Sequence, residues 1–78
     1  MRKQRIVTEE GLAQVAKQCR EEAGKTRSQA ARELGVSHVS LHHAEESPER
    51  GLVNLRKRII ETYSSQKVTG PVFVIESR

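Results

Sequence analysis

Aromatic residues are almost absent from this sequence. It has no tryptophan, one phenylalanine and one tyrosine among its 78 residues, and hydrophobic residues of all kinds make up 35%. The core must therefore be built mainly from alanine, valine, leucine and isoleucine. We expect a single small domain over residues 1–78, near the size at which one core is only marginally stabilising. Such a core would benefit from a partner subunit.

Cysteine and long apolar runs are also scarce. Cys19 is the only cysteine, which excludes an internal disulfide framework and suits a reducing compartment. No apolar run approaches the length of a membrane span, and the N-terminus lacks the apolar segment of a signal peptide. These absences predict a cytoplasmic protein with no membrane partner.

The residue patterns of common enzymes are missing as well. The chain has no nucleophile at a meaningful spacing from a base, no phosphate-cradling glycine loop, no Cys-x-x-Cys and no His-Glu-x-x-His motif. His38 and His42 lie four apart and would face the same side of a helix, but zinc needs further ligands. We therefore predict neither catalysis nor a metal or other cofactor.

Charge is what the sequence has in abundance. Lysine and arginine number 14 against 10 aspartates and glutamates, so the formal net charge is +4 and charged residues make up 31%. A small basic domain is compatible with nucleic-acid binding. Ordinary solvated surfaces carry a similar excess, however, so charge alone does not decide the function.

A first long helix is predicted between Thr8 and Gly24. Thr8 is a good N-cap, and Glu9 and Glu10 lie in the first turn, where acidic side chains complement the helix dipole. Apolar residues recur at steps of three and four, which predicts a buried stripe. Because Cys19 is on this stripe, we expect a small buried hydrophobe rather than a nucleophile. The stripe comprises Leu12, Val15, Ala16, Cys19 and Ala23.

Residues 26–46, TRSQAARELGVSHVSLHHAEE, predict two short helices joined by a tight turn. Thr26 and Gln29 have the spacing of a capping box, which marks the start of the first. Gly35 suits its end, because that position favours positive φ, and Ser37 can cap the second. Val39, His42 and His43 would point away from the buried side. The residues expected to face inward are Ala30, Ala31, Leu34, Val36, Leu41 and Ala44.

The spacing of Ala31, Gly35, Leu41 and Ala44 resembles the helix-turn-helix of phage repressors and Cro-like bacterial regulators of the XRE type. In that family a small residue lets the two helices cross closely, a glycine makes the turn, and a leucine locks the second helix onto the first. The resemblance extends over roughly residues 9–63. It implies a mainly α, four- to five-helix repressor-like domain.

The resemblance also implies an ion pair that ties the first helix to the recognition helix. Arg20, four residues before Gly24, matches the family's Arg-x-x-x-Gly pattern, and Glu45 stands at the position of its partner. The sequence departs just after Glu45, where the family usually has a glycine and this chain has Ser47 and Pro48. The exit loop is therefore expected to differ in shape.

By the same resemblance, the second helix of the motif would contact DNA bases through His38, Val39 and His43. Histidine can donate to guanine or phosphate acceptors, and a valine can meet a thymine methyl group. The alternative interpretation is a polar, solvated helix face. The residues expected at the DNA backbone are Arg27, Ser37, Ser40, His42 and Arg50. Arg27 is matched to a phosphate-contacting position, with an ordinary exposed arginine as the alternative.

A fourth helix is predicted from Leu52 to about Ser64. Its apolar stripe comprises Leu52, Leu55, Ile59 and Tyr63, widened by Val53 and Ile60. Arg56, Lys57 and Arg58 interrupt this helix with a basic cluster. We interpret the cluster as a solvated face, and phosphate contact by Arg56 or Lys57 is the second interpretation.

The end of the chain predicts a short strand. Residues 64–67 are a polar link, and within the segment 67–76 the run Val72, Phe73, Val74 and Ile75 is rich in β-forming residues. A lone strand is not stable in water, so it needs a mate. Residues 3–7 of the same chain, the equivalent strand of a second subunit, or both can supply one. Alternatively, the tail packs on the helices and the N-terminus is a disordered, charged segment.

These features together predict a helical core over residues 8–64 and a C-terminal strand that serves dimerisation through Val72, Phe73, Val74 and Ile75, as in Cro-like proteins. The predicted function is a sequence-specific regulator, a repressor that binds a palindromic operator in double-stranded DNA as a homodimer. The alternative is an antitoxin-like module that neutralises a partner protein and binds DNA secondarily. A strand left uncovered in the homodimer would favour that alternative.

Overall fold

The computed structural model describes residues 4–69 and 73–77. Within them, four helices lie between a first strand and the last two strands of one small sheet. The prediction of a mainly helical domain with a C-terminal strand is therefore confirmed. The elements in chain order are β1 (Gln4–Val7), α1 (Glu9–Glu22), α2 (Arg27–Leu34), α3 (His38–Glu46), α4 (Val53–Tyr63), β2 (Gln66–Thr69) and β3 (Phe73–Ser77).

Side-chain caps start the first three helices at the positions that the sequence predicts. The Thr8 hydroxyl accepts a hydrogen bond from the Gly11 amide at 3.1 Å. Thr26 and Gln29 form the reciprocal capping box, with distances of 2.9 and 3.1 Å. The Ser37 hydroxyl accepts from the Ser40 amide at 3.0 Å. Each cap satisfies an amide that the helix leaves unpaired.

Gly35 closes α2 in the left-handed conformation, with φ of +70°. The amide of Val36 then donates to the Ala31 carbonyl at 3.0 Å, and the Gly35 amide donates to the Arg32 carbonyl at 3.3 Å. This is the pattern of a Schellman motif, and it reverses the chain into α3 within three residues. Gly24 has a φ of +74° just after α1.

The core lies where the apolar sides of the four helices meet the sheet. The predicted inward residues of the motif are buried, except Val36, which is half-buried and packs against the core. Ala23 is exposed rather than part of the α1 stripe, because α1 ends at Glu22 and the chain turns away. Ala13 is buried although the stripe did not include it. The cluster comprises Leu12, Val15, Ala16, Cys19, Ala30, Ala31, Leu34, Leu41, Ala44, Leu55, Ile59, Ile60, Val68 and Ile75.

The sheet is antiparallel with the order β1-β3-β2. Ile6 pairs with Val74, so the N-terminal segment of the same chain, one of the mates that the sequence left open, pairs with the C-terminal strand over Gln4–Val7. The prediction of a polar link over residues 64–67 is wrong at its end, because Gln66 and Lys67 begin β2. Val72 lies outside the described residues.

The position of β3 bears on how the chain can dimerise. Both hydrogen-bonding edges of β3 are occupied by strands of the same chain, and the Ile75 side chain is buried in the core. Main-chain pairing of β3 with its counterpart in a second subunit therefore does not fit this strand order. A mate would have to add to β1 or β2.

The outer edge of β2 carries its own side-chain caps. The Val68 amide donates to the Glu61 carboxylate at 3.1 Å, and the Gln66 amide donates to the Ser64 hydroxyl at 3.1 Å. These two amides donate to side chains and not to β3, so they are amides that a strand added at the outer edge of β2 would need as donors. Among the described residues, no strand lies on the outer side of β1.

In the basic cluster of α4, Arg58 is exposed and Lys57 is half-buried, but Arg56 has neither of the positions that the sequence suggested for it. Arg56 is fully buried, with 0% of its surface exposed, and it donates from Nε to the Ala44 carbonyl and from Nη2 to the Ser47 carbonyl, both at 2.8 Å. Arg58 donates from Nη2 to the Leu34 carbonyl at 2.7 Å. Both interpretations of Arg56, a solvated side chain or a phosphate contact, are therefore wrong. The last-turn carbonyls of a helix lack partners and favour a cation, which explains these bonds.

Candidate nucleic-acid interface

The exposed side of α3 begins with His38 and Val39. Leu41, Ala44 and the Glu45 side chain turn toward the interior, whereas His38 and Val39 are exposed. Val39 is 63% exposed and is the one large hydrophobic side chain of the described residues that is mainly in solvent. A single exposed apolar side chain is common on protein surfaces, so Val39 is a candidate because it lies beside His38 at the start of α3 and not because of its exposure alone.

His42 and His43 are half-buried neighbours on the same helix. Their rings meet edge to face, with centroids 5.6 Å apart. Nδ1 of His43 lies 2.9 Å from the Ser47 hydroxyl, within hydrogen-bonding distance. This bond orients the ring, and Nε2 is then the nitrogen that can meet an external partner.

A shallow depression of about 420 Å³ brings four of the predicted DNA-contacting residues together. Val39, Ser40 and His43 form its α3 side, and Arg50 comes from the loop after that helix. The loop is held by the amide of Arg50 donating to the Ser47 carbonyl at 3.0 Å. Base-facing and backbone-facing candidates therefore share one concave surface.

A second depression, of about 480 Å³, lies where the start of α2 meets α1 and α3. It is lined mainly by basic and hydroxyl side chains, and His38 of α3 is part of its rim. The start of a helix carries unpaired amides and a partial positive charge, which favour an anion such as phosphate. The lining residues are Lys17, Arg20, Glu21, Thr26, Arg27, Ser28 and His38.

Arg20 and Glu45 join α1 to α3, which is the ion pair that the family resemblance implies. Arg20 donates from Nε to Oε2 of Glu45 at 2.6 Å and from Nη2 to Oε1 at 3.0 Å, so the contact is bidentate. The Glu45 side chain is 0% exposed. The hydrogen bond to Glu45 is the main cause that raises the pKa of Arg20, against the opposing effect of burial. Arg20 also donates from Nη1 to the Lys25 carbonyl at 2.6 Å.

Arg27 is bound by carboxylates. Its Nε donates to Oε1 of Glu45 at 3.1 Å, and its Nη2 pairs with Oε2 of Glu46. The same Glu46 oxygen lies 2.9 Å from Nζ of Lys17. The bond to Lys17 is the leading cause that lowers the pKa of Glu46. Arg27 thus lies at the predicted place but is held inside an ion network.

The sequence interpretation did not include Lys17 and Glu46. A signal for them existed: Lys17 and Arg20 are three apart on α1 and share a face, and the adjacent Glu45 and Glu46 offer two carboxylates opposite them. Ser37 and Ser40 bond to each other at 2.9 Å between their hydroxyl oxygens.

Two further findings concern only the part of the chain that the structure describes. No cluster of three or more histidine, cysteine, aspartate or glutamate side chains there could hold a metal ion. None of the four helices in that part has the length and apolar character needed to cross a membrane.

Comparison with known proteins identifies the family. A family model described as a helix-turn-helix domain matches residues 11–61, which is more than half of the chain and runs from α1 into α4. No curated protein and no solved structure matched the chain. The matched range contains both depressions and the Arg20–Glu45 pair. This chain therefore belongs to the helix-turn-helix domain family of DNA-binding proteins.

Proposed function

We propose that the protein is a sequence-specific transcriptional regulator of the phage repressor and Cro-like type, which binds a palindromic operator as a homodimer. The observation that carries the proposal is the exposed side of α3, where Val39 is 63% exposed between His38 and His43. The motif is braced from behind by the Arg20–Glu45 pair. The protein acts by occupying DNA and has no catalytic role.

Base contacts come from the first turns of α3. Val39 packs against a thymine methyl group in the major groove, and His38 and His43 donate to acceptors on the base edges. The Ser47 hydroxyl bound near Nδ1 of His43 sets the ring so that Nε2 reaches outward. These few contacts supply the sequence choice.

Phosphate contacts flank the base contacts on both sides. Arg27 and the α2 amides lie in one depression, and Arg50 lies in the other. Ser37, Ser40 and His42 are the remaining candidates near the start and middle of α3. Contacts of this kind position the protein and make affinity fall with salt, without selecting a sequence.

The homodimer would form at the outer edge of β1. β3 is paired on both sides, and the outward amides of Gln66 and Val68 on β2 are already accepted by side chains. An antiparallel β1–β1 pair about a two-fold axis would extend the sheet across both copies. It replaces the expected contact through Val72–Ile75. Two recognition helices would then have to lie about 34 Å apart, which is one turn of DNA.

The test combines solution mass with selection of bound duplexes from a random pool. A dimer that enriches a palindrome supports the proposal and supplies the operator. A protein that retains DNA weakly and without preference would refute it. The antitoxin-like alternative would then lead, with the β1 edge as its place for a partner protein, because β3 has no uncovered edge.

Val39 allows a sharper check on the selected operator. Replacing its thymines one at a time by deoxyuridine removes only the methyl group. We expect wild-type affinity to fall about threefold to tenfold at one thymine, since one mismatch in a site changes affinity by roughly this amount or more. Val39→Ala should abolish that sensitivity, whereas Thr62→Ala, on the exposed side of α4, should keep it. Equal sensitivity in both variants would contradict the role of Val39.

A further inference from the structure

Glu46 holds two cations that border the α2 depression. Its Oε2 lies 2.9 Å from Nζ of Lys17 and also binds Nη2 of Arg27. Lys17 and Arg27 both line that depression. Two of the positive charges best placed for a DNA phosphate therefore share one carboxylate in the protein on its own.

The two adjacent glutamates play different parts. Glu45 is fully buried and is held by the bidentate bond from Arg20, so it stays in place as part of the scaffold. The Glu46 side chain is 35% exposed, and the side chains of Arg27 and Lys17 are 29% and 38% exposed. Ion pairs at such exposure contribute little to stability and exchange partners readily.

We propose that Glu46 competes with the DNA backbone for Arg27 and Lys17, and so determines how strongly the protein binds DNA that lacks its operator. The inference rests on the proposed DNA-binding function. On random DNA the recognition helix is not fully seated, and Glu46 keeps both cations. On the operator, the seated helix brings a phosphate to the depression, and Arg27 passes from Glu46 to that phosphate.

The exchange has a consequence for selectivity. In the operator complex Arg27 already contacts phosphate, so removing the Glu46 charge adds little beyond a general gain in attraction. On random DNA the same change frees Lys17 and the Nη2 group of Arg27, whose Nε stays bound to Glu45. Glu46 therefore raises selectivity by weakening non-specific binding, in the manner of a repulsive element built against the wrong partner.

The experiment measures binding of Glu46→Gln to the selected operator and to a random-sequence duplex over a range of salt concentrations. We expect affinity for random DNA to rise about tenfold and affinity for the operator to rise less. The slope of log affinity against log salt on random DNA should steepen by about 0.9 for Lys17 and by less than this for Arg27, which keeps its bond to Glu45. On the operator the slope should change less than this.

Glu49→Gln is the matched control. It removes the same charge from an exposed residue three positions further on, and no ion pair of Glu49 occurs in the described parts of the chain. Its effect measures the general gain in attraction. A second control places Glu46→Gln in an Arg27→Ala, Lys17→Ala background, where its effect should shrink to that of Glu49→Gln.

The outcomes separate the two proposals. Equal effects of Glu46→Gln and Glu49→Gln, or an unchanged effect in the background without both cations, would overturn the role of Glu46 and leave the regulator proposal standing. A wild-type protein that binds no DNA would refute both. Thermal unfolding of each variant verifies that the fold is retained, as expected for a partly exposed side chain.

Discussion

Replacing Arg56 by methionine removes a buried cation while keeping a long, unbranched side chain in its place. Two carbonyl groups, of Ala44 and Ser47, then lose donors that lie 2.8 Å away in the wild type. Leaving a buried polar group without a partner costs about 1–3 kcal/mol. The Ser47 carbonyl keeps the Arg50 amide as a donor, so the main loss, about 1–3 kcal/mol, comes from the Ala44 carbonyl. Part of it is offset, because methionine is cheaper to bury than a guanidinium.

We expect a net destabilisation of about 1–3 kcal/mol for Arg56→Met. In a domain of this size each kcal/mol lowers Tm by roughly 4–8 °C, so Tm should fall by about 5–20 °C. Since small domains have only about 5–15 kcal/mol in total, the loss is large. Thermal and urea unfolding followed by circular dichroism measures it directly.

Arg58→Met is the matched control, because Arg58 lies two residues away and donates to one helix-end carbonyl, that of Leu34, from an exposed position. Water can replace that donor, so we expect a loss of about 0.5–1 kcal/mol. Arg56→Lys should fall between the two, since a single ammonium group cannot reproduce the geometry of the fork. A result in which Arg56→Met is as stable as Arg58→Met would refute the claim that Arg56 holds the end of α3.

A further prediction concerns pH. The Tyr63 hydroxyl donates to Glu33 at 2.5 Å, and burial followed by this bond raises the pKa of Tyr63 to about 12. A raised pKa means that the stabilisation is complete below the ordinary value near 10 and is lost as pH rises toward 12. Over that range the wild type should lose stability relative to Tyr63→Phe in urea unfolding. Unfolding free energies of the two proteins that stay parallel from about pH 9 to 12 would contradict this.

Local sequence signals were sufficient for the helical part of the fold. The Thr26–Gln29 box and Gly35 act through bonds to near neighbours, so their structural meaning is contained in a few residues. Leu41 and Ala44 recur at helical spacing and are buried as expected. The position of α3, the proposed recognition helix, therefore follows from the sequence alone.

The parts that sequence could not supply depend on distant segments. Arg56 appears in sequence as one member of a basic run, and only the position of the α3 end explains its burial. Gln66 and Lys67 are weak β-formers, yet they continue into a strand because β3 offers an edge and Val68 packs in the core. In the candidate site, the sequence did not predict that Arg27 is paired with Glu45 and Glu46, because that ion network forms only where three helices meet.

The strand order also governs how the chain reaches its folded state. β1 and β3 lie at opposite ends of the sequence, and Gln4 is paired with Glu76. Closing so long a loop is entropically slow in an open chain, so this pairing should follow the collapse of the helices, which brings the two ends together. Because β3 pairs with both β1 and β2, loss of pairing in β1 or in β3 would weaken the whole three-stranded sheet.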